Sequence, residues 1–252
     1  MHNLIQRPYL PSSPVTRILV AGDISPAMED GLNSIGVECI KTEPIQGLPP
    51  SLSRHTDMQM VNPAEGLMVF APGTSPKALA ALKDLGFELI QGDTPLTTAY
   101  PGDIAYNCAV VGERVFLNPK HTDRKVLEVL ARTGTRIIPV KQGYAKCSVL
   151  ILNEEAIITA DPSIHQAALS ECMDVLLIPP QQRIVLKGYN YGFIGGTAGL
   201  LAPNRVAFFG DYALLDSWEA IAPFMKKHGL SPLALSHENP VDLGGLIPLC
   251  SV

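Results

Sequence analysis

Charge is scarce in this chain and is concentrated nowhere. Only 17% of its residues are Asp, Glu, Lys or Arg, and the formal net charge is -5. No basic stripe is available to neutralise phosphates, so no nucleic-acid partner is expected. Long apolar runs are missing too. Runs such as Asp174 to Pro180 fall far short of the roughly 20 residues that cross a bilayer, so no membrane span is expected. The segment Met1 to Pro14 has no apolar block of the kind secretion requires, and export is not expected. Cysteine is sparse, odd in number and scattered, at Cys39, Cys108, Cys147, Cys172 and Cys250. A chain of this size folds without staples, so these are read as free thiols in a reducing cytoplasm.

Metal and phosphate signatures are equally lacking. His121, His165, His228 and His237 show no zinc-type spacing with the cysteines, and no metal is expected. Gly195-Gly196-Thr197 has neither the lysine nor the following helix of a phosphate loop. It reads as a place where backbone segments approach closely. No motif implies a cofactor, and the sequence leaves the oligomeric state open.

What the chain has in quantity is apolar residues, 46%, together with 21 Gly and 22 Pro. The material suffices for a large core cut into many short elements. Five helix starts are legible, at Ser25-Pro26, Ser75-Pro76, Thr122-Asp123, Asp161 to Ser163 and Asp216-Ser217, each opening on a capping residue. The bodies that follow carry helical apolar spacing, as in Leu79, Leu82 and Leu85 or Val126, Val129 and Leu130. Four of them stop at glycine, at Gly36, Gly86, Gly134 and Gly229, where a left-handed residue releases the last carbonyls. The fourth helix, ending near Cys172, lacks one.

A short apolar strand follows each helix: Val37 to Ile40, Phe87 to Ile90, Arg136 to Val140, Val175 to Ile178 and Leu233 to Leu235. Each is expected to form the inner edge of its unit. A hairpin comes next, turning near Glu65-Gly66, Gly112-Glu113, Asn153 to Glu155 and Pro203-Asn204. The fifth hairpin takes its first arm from Val241 to Leu249 and its second from Arg17 to Asp23, so the termini close a ring and remove exposed sheet edges. The expected fold is therefore α/β, a five-bladed propeller of five ββαβ repeats with pseudo-fivefold symmetry. One domain spans 1–252, with repeats near 45–90, 91–140, 141–178, 179–235, and 236–252 joined to 15–44. An open doubly wound sheet is the alternative, but it calls for one helix per strand, and here about three strands fall between helices.

A ring of five such units, from Arg17 to Leu249, resembles the pentein superfamily of guanidino-modifying enzymes. That superfamily holds deiminases, dimethylarginine hydrolases, amidinotransferases and a non-catalytic ribosome anti-association factor. The segments GYAKCS (Gly143 to Ser148) and NYGFIGG (Asn190 to Gly196) look like an uncharacterised bacterial branch of it. The resemblance implies a small-molecule guanidino substrate, no cofactor, and a central cysteine, histidine and acidic group. His55-Thr56-Asp57, then Cys147 two repeats later, and Asp242-Leu243-Gly244-Gly245 in the preceding repeat match the family's cyclic order, with the linear order shifted. On that basis Cys147 is the candidate nucleophile, His55 the proton carrier, and Asp57 and Asp242 the cation's anchors.

Asp103 and Asn107 occupy the corresponding place in repeat two and are further candidates for binding substrate. Cys250 is a rival nucleophile, near the chain end where the family usually carries one. Strand alternation would send Lys146 and Ser148 away from the Cys147 face. Two functions remain open: cysteine-dependent hydrolysis or transfer on a guanidine, amidine or related C–N substrate, and a non-catalytic pentein that binds a macromolecular partner.

Overall fold

A computed structural model describes residues 3–252. Its architecture is one unit used five times: an antiparallel hairpin, a helix, and a strand returning parallel to the hairpin's second arm. The first unit shows how the sequence dictates this. Strands β4 (Met60–Ala64) and β5 (Leu67–Phe70) turn through Gly66, whose φ of +65° a side chain would resist. Helix α3 (Pro76–Asp84) has proline in its first turn and Gly86 in the left-handed region just beyond its end. Its buried Ala78 and Leu82 face the sheet, and β6 (Glu88–Gln91) lies parallel to β5 in the register Leu67↔Glu88 to Phe70↔Gln91.

The same plan gives β7 (Ala109–Val111), β8 (Arg114–Leu117), α4 (Arg124–Thr133) and β9 (Arg136–Pro139). It recurs in β10 (Val149–Asn153), β11 (Ala156–Thr159), α5 (Pro162–Ser170) and β12 (Asp174–Leu177). A fourth copy is β13 (Ala198–Ala202), β14 (Arg205–Phe208), α6 (Trp218–Lys227) and β15 (Ser231–Ala234). In the fifth sheet, β16 (Ile247–Ser251) pairs antiparallel with β2 (Val15–Ala21). Helix α1 (Pro26–Ser34) and β3 (Glu38–Thr42) complete it. Both chain ends therefore build one blade. Ring closure follows from contacts of β7 with β10, β10 with β13 and β13 with β16, and of α3 with β3 and α4 with β4.

Three features differ from the sequence reading. The strands after the helices are outer edges, not inner ones. They are half-exposed, whereas β4, β7, β10, β13 and β16 are largely buried and most of them touch one another. A short apolar strand under a helix reads much like one facing an axis, because only the neighbours distinguish them. Next, β1 (Asn3–Leu4) adds to β16 as a fourth strand, a pairing too short to show any periodicity. Last, Cys172 adopts φ +59°, standing at the end of α5 where the other helices use glycine.

Candidate active site

The site lies where the loops entering the first arms meet. Leu52 to His55 turn tightly, His55 N–H donating to the Leu52 carbonyl, and lead into a single helical turn, α2 (Thr56–Gln59). Asp57 sits on this turn. One turn shows no period to a sequence reading, and its four residues are all buried. Thr56 Oγ1 donates to the Gly244 carbonyl at 2.9 Å, tying the first repeat to the fifth. Gln59 Nε2 donates to the carbonyls of Ser53 and Glu43 at 2.6 and 2.8 Å.

Cys147 is likewise not in a strand. It belongs to a turn in which Ser148 N–H reaches the Tyr144 carbonyl, just ahead of β10. Strand alternation therefore does not apply, although Lys146 still borders a different hollow from the cavity that Cys147 lines. Lys146 is 3% exposed; its Nζ donates to the Gly195 carbonyl at 3.0 Å inside the ring. The Cys147 thiol donates to Asp57 Oδ2 at 3.0 Å.

Asn107 joins these pieces. Its Oδ1 accepts from the backbone N–H of Lys146 and Cys147 at 2.7 and 3.3 Å. Its Nδ2 lies 3.1 Å from both the Asp57 carbonyl and Cys147 Sγ. Asp103 is set further back, its Oδ2 accepting from the Tyr144 hydroxyl at 2.6 Å.

Asp242 completes the ring of polar groups. Its Oδ2 accepts from Phe193 N–H at 2.8 Å and its Oδ1 from Gly244 N–H at 3.1 Å. The same Oδ1 lies 3.8 Å from His55 Nδ1. Gly196 is what lets this carboxylate approach: a Cβ there would fall 1.8 Å from Oδ1. Gly244, at φ +73°, leaves room in the same way for Asp57 Oδ1 and the His55 Cβ, each 2.7 Å from where its own Cβ would stand.

Six buried polar atoms among these residues have no hydrogen-bond partner: both His55 ring nitrogens, Asp57 Oδ1, Gln59 Oε1, Asp103 Oδ1 and Ser148 Oγ. A buried orphan costs about 1–3 kcal/mol, so such a set points to a ligand that supplies the missing bonds. Burial, helped by the charge of Asp242, pushes the Asp57 carboxyl up to about 6, with Lys146, His55 and the thiol bond holding it back. Burial, followed by the charges of Asp57 and Asp242, pushes the Cys147 thiol well above its ordinary range.

His55, Cys147 and Asp242 open onto one cavity of about 260 Å³. Leu52, Met58 and Leu186 form part of its wall, and Tyr144, Tyr189, Tyr191 and Phe193 much of the rest. The sequence reading missed this aromatic wall. The available signal was its concentration, since three of seven tyrosines fall here in a chain only 6% aromatic. Cys250, the rival nucleophile, lies in β16 paired with Leu4 and Arg17, away from the cavity lining. Among the described residues no group of three His, Cys, Asp or Glu side chains is arranged to hold a metal. No described helix is long and apolar enough to cross a membrane.

A family model described as a family of unknown function, DUF6873, matches residues 19–247. No curated protein matches significantly. Among solved structures, an inosamine-phosphate amidinotransferase from Streptomyces griseus is similar over 100% of this chain and 96% of its own, at 12% identity and TM-score 0.57. An amidinotransferase of saxitoxin biosynthesis from Microseira wollei covers 96% of each chain at 13% identity and TM-score 0.53. DDAH from Pseudomonas aeruginosa, bound to citrulline, matches 88% of this chain and 92% of its own at 10% identity and TM-score 0.53. At these identities the likeness establishes the pentein fold.

Proposed function

We propose that this chain, which belongs to the DUF6873 family of unknown function and has the pentein fold, is a cysteine-dependent hydrolase or transferase acting on a guanidine, amidine or related small C–N substrate. The observation that carries this reading is the orphaned set of His55 and Asp57 Oδ1 beside a thiol. A guanidinium is planar and presents only N–H donors, which the carboxylates of Asp57 and Asp242 can accept. Charge agrees. The buried carboxylates of Asp57, Asp103 and Asp242 outnumber the buried ammonium of Lys146, and that excess of negative charge favours a cation.

In the reaction, Cys147 Sγ bonds to the central carbon and its proton passes through His55 to the departing nitrogen as that C–N bond breaks. Water, or an acceptor amine in a transferase, then adds to the carbon and gives a proton to His55. The C–S bond breaks, and the thiol is restored. With water the products are a ureido compound and ammonia or an amine. Asn107 acts as a positioning residue for Cys147, and Asp103 for Tyr144, while Asp57 and Asp242 hold the cation.

The second reading, a non-catalytic pentein that binds a macromolecular partner, draws on the thiol. Burial and two nearby carboxylates keep it protonated in the free protein. The enzyme reading answers this through the bound cation, whose charge offsets those carboxylates and favours the thiolate. The test is ammonia and ureido-product release over a panel of guanidines and amidines. Turnover that falls at least about a thousandfold in Cys147→Ala and is unchanged in Cys250→Ala is expected. No product from any member, with Cys147 unlabelled by a cationic haloacetamidine, would exclude the enzyme.

A further inference from the structure

We infer that the substrate carries a neutral, apolar tail, of the aryl- or alkylguanidine class, and that the site discriminates against amino acids such as arginine. The inference rests on the proposed cation site for the head group only, since the cavity itself determines the tail.

One end of the cavity is polar, with His55, Cys147 and Asp242, and the remainder of the wall is predominantly apolar. Tyr144 contributes its ring, because its hydroxyl is committed to Asp103 at 2.6 Å. That ring stands 5.8 Å from the ring of Tyr100 and 5.9 Å from that of Phe193, making a continuous aromatic surface. Tyr189 lines the mouth with 47% of its surface exposed, and Tyr100, beside Tyr144, is 54% exposed. Exposed aromatic area at the rim of a polar-ended cavity is surface that a ligand can cover, and aromatic contacts add to simple burial.

An α-carboxylate would find no cation there. The described residues that line the cavity include neither lysine nor arginine. Lys146 is unavailable to it: its Nζ is bonded to Gly195, stands over the Tyr9 ring at 5.6 Å, and borders a different hollow behind the thiol turn. Lys187 follows Leu186 in sequence but is exposed. A carboxylate against this wall would exchange its hydration for the neutral donors of Asn190, Tyr189 and Tyr191, with no cation to offset the lost hydration, a penalty for an ion. A phenyl or alkyl group meets none.

Calorimetric titration of the protein with benzylguanidine, methylguanidine and arginine, run beside turnover assays of the same compounds, tests this. Benzylguanidine is expected to bind at least about tenfold tighter than arginine. Tyr189→Ala, an exposed position that folding tolerates, is expected to weaken benzylguanidine about three- to tenfold and leave methylguanidine unchanged. Lys187→Ala is expected to leave the ranking intact. Arginine binding as tightly as benzylguanidine, Tyr189→Ala weakening both guanidines equally or neither, or no guanidine binding at all would overturn the inference. Benzylguanidine binding without turnover of any compound would remove the catalytic reading and keep the tail specificity. Turnover with arginine preferred would do the reverse.

Discussion

At the scale of single residues, Asp57 concentrates the conflict between stability and chemistry. Its carboxyl is fully buried, one oxygen has no partner, and its pKa is raised from 3.8 to about 6. Below about pH 4 the group is protonated in both folded and unfolded chains, and no penalty arises. Between 4 and 6 the unfolded chain loses the proton first, so the native state binds more protons and stability falls as pH rises. Above 6 the native state holds a buried charge. The raised carboxyl pKa corresponds to a penalty on the order of 3 kcal/mol. Asp57→Asn is therefore expected to raise the thermal midpoint at pH 7 and flatten the stability profile between pH 4 and 6, while removing guanidine binding. A midpoint at pH 7 that falls, with the pH slope intact, would show that the carboxylate stabilises the fold. In the proposed function a bound cation would relieve this charge, the usual compromise of a site made for a charged ligand.

At the scale of elements, Asp123 shows how a capping residue legible in the sequence does more than start a helix. Its Oδ1 caps α4 by accepting from Lys125 N–H at 2.8 Å. Its Oδ2 accepts from the backbone N–H groups of Asp93 and Thr94 at 2.9 and 2.7 Å, fixing the loop after β6. Burial alone would raise this carboxyl, but these bonds, those from Thr94 foremost, outweigh it and hold the pKa below the ordinary value. Asp123→Ala removes the cap and strands two amides, for an expected loss on the order of 2–4 kcal/mol by urea denaturation. The stabilisation is present above the ordinary carboxylate pKa and is lost as pH falls through the lower native value. The difference between wild type and variant should therefore shrink in acid; a difference constant from pH 7 to pH 2 would contradict this. The α2 turn makes the contrasting case. It carries Asp57, yet nothing in four consecutive buried residues announces a helix.

At the scale of the whole molecule, closure depends on the chain ends. β16 lies between β1 and β2 and touches β13 of the neighbouring blade. Asp242, which faces His55, leads into it through Gly244 and Gly245. Deleting residues 247–252 would expose the β2 edge and open the ring. Loss of cooperative thermal unfolding and binding of a hydrophobic dye are expected; a truncated chain that unfolds cooperatively at an unchanged midpoint would show that closure is dispensable.

The sequence by itself determined the repeat. Caps at Ser25, Asp123 and Asp161, left-handed glycines at Gly36, Gly86 and Gly134, and the hairpin turns are set by neighbours a few residues away, so each local segment announces its own structure. It also made closure through the termini legible, because half a blade at each end is incomplete alone. Only the tertiary structure decided which strands face the axis, that Lys146 lies inside the ring, that Asn107 rather than a basic group holds the thiol turn, and that four aromatic rings share one cavity. The hydrogen bonds among them join residues 39 to 49 positions apart, and Thr56 reaches Gly244 across 188. Local propensity carries no information about such distances, since they follow from how five blades pack around a common centre.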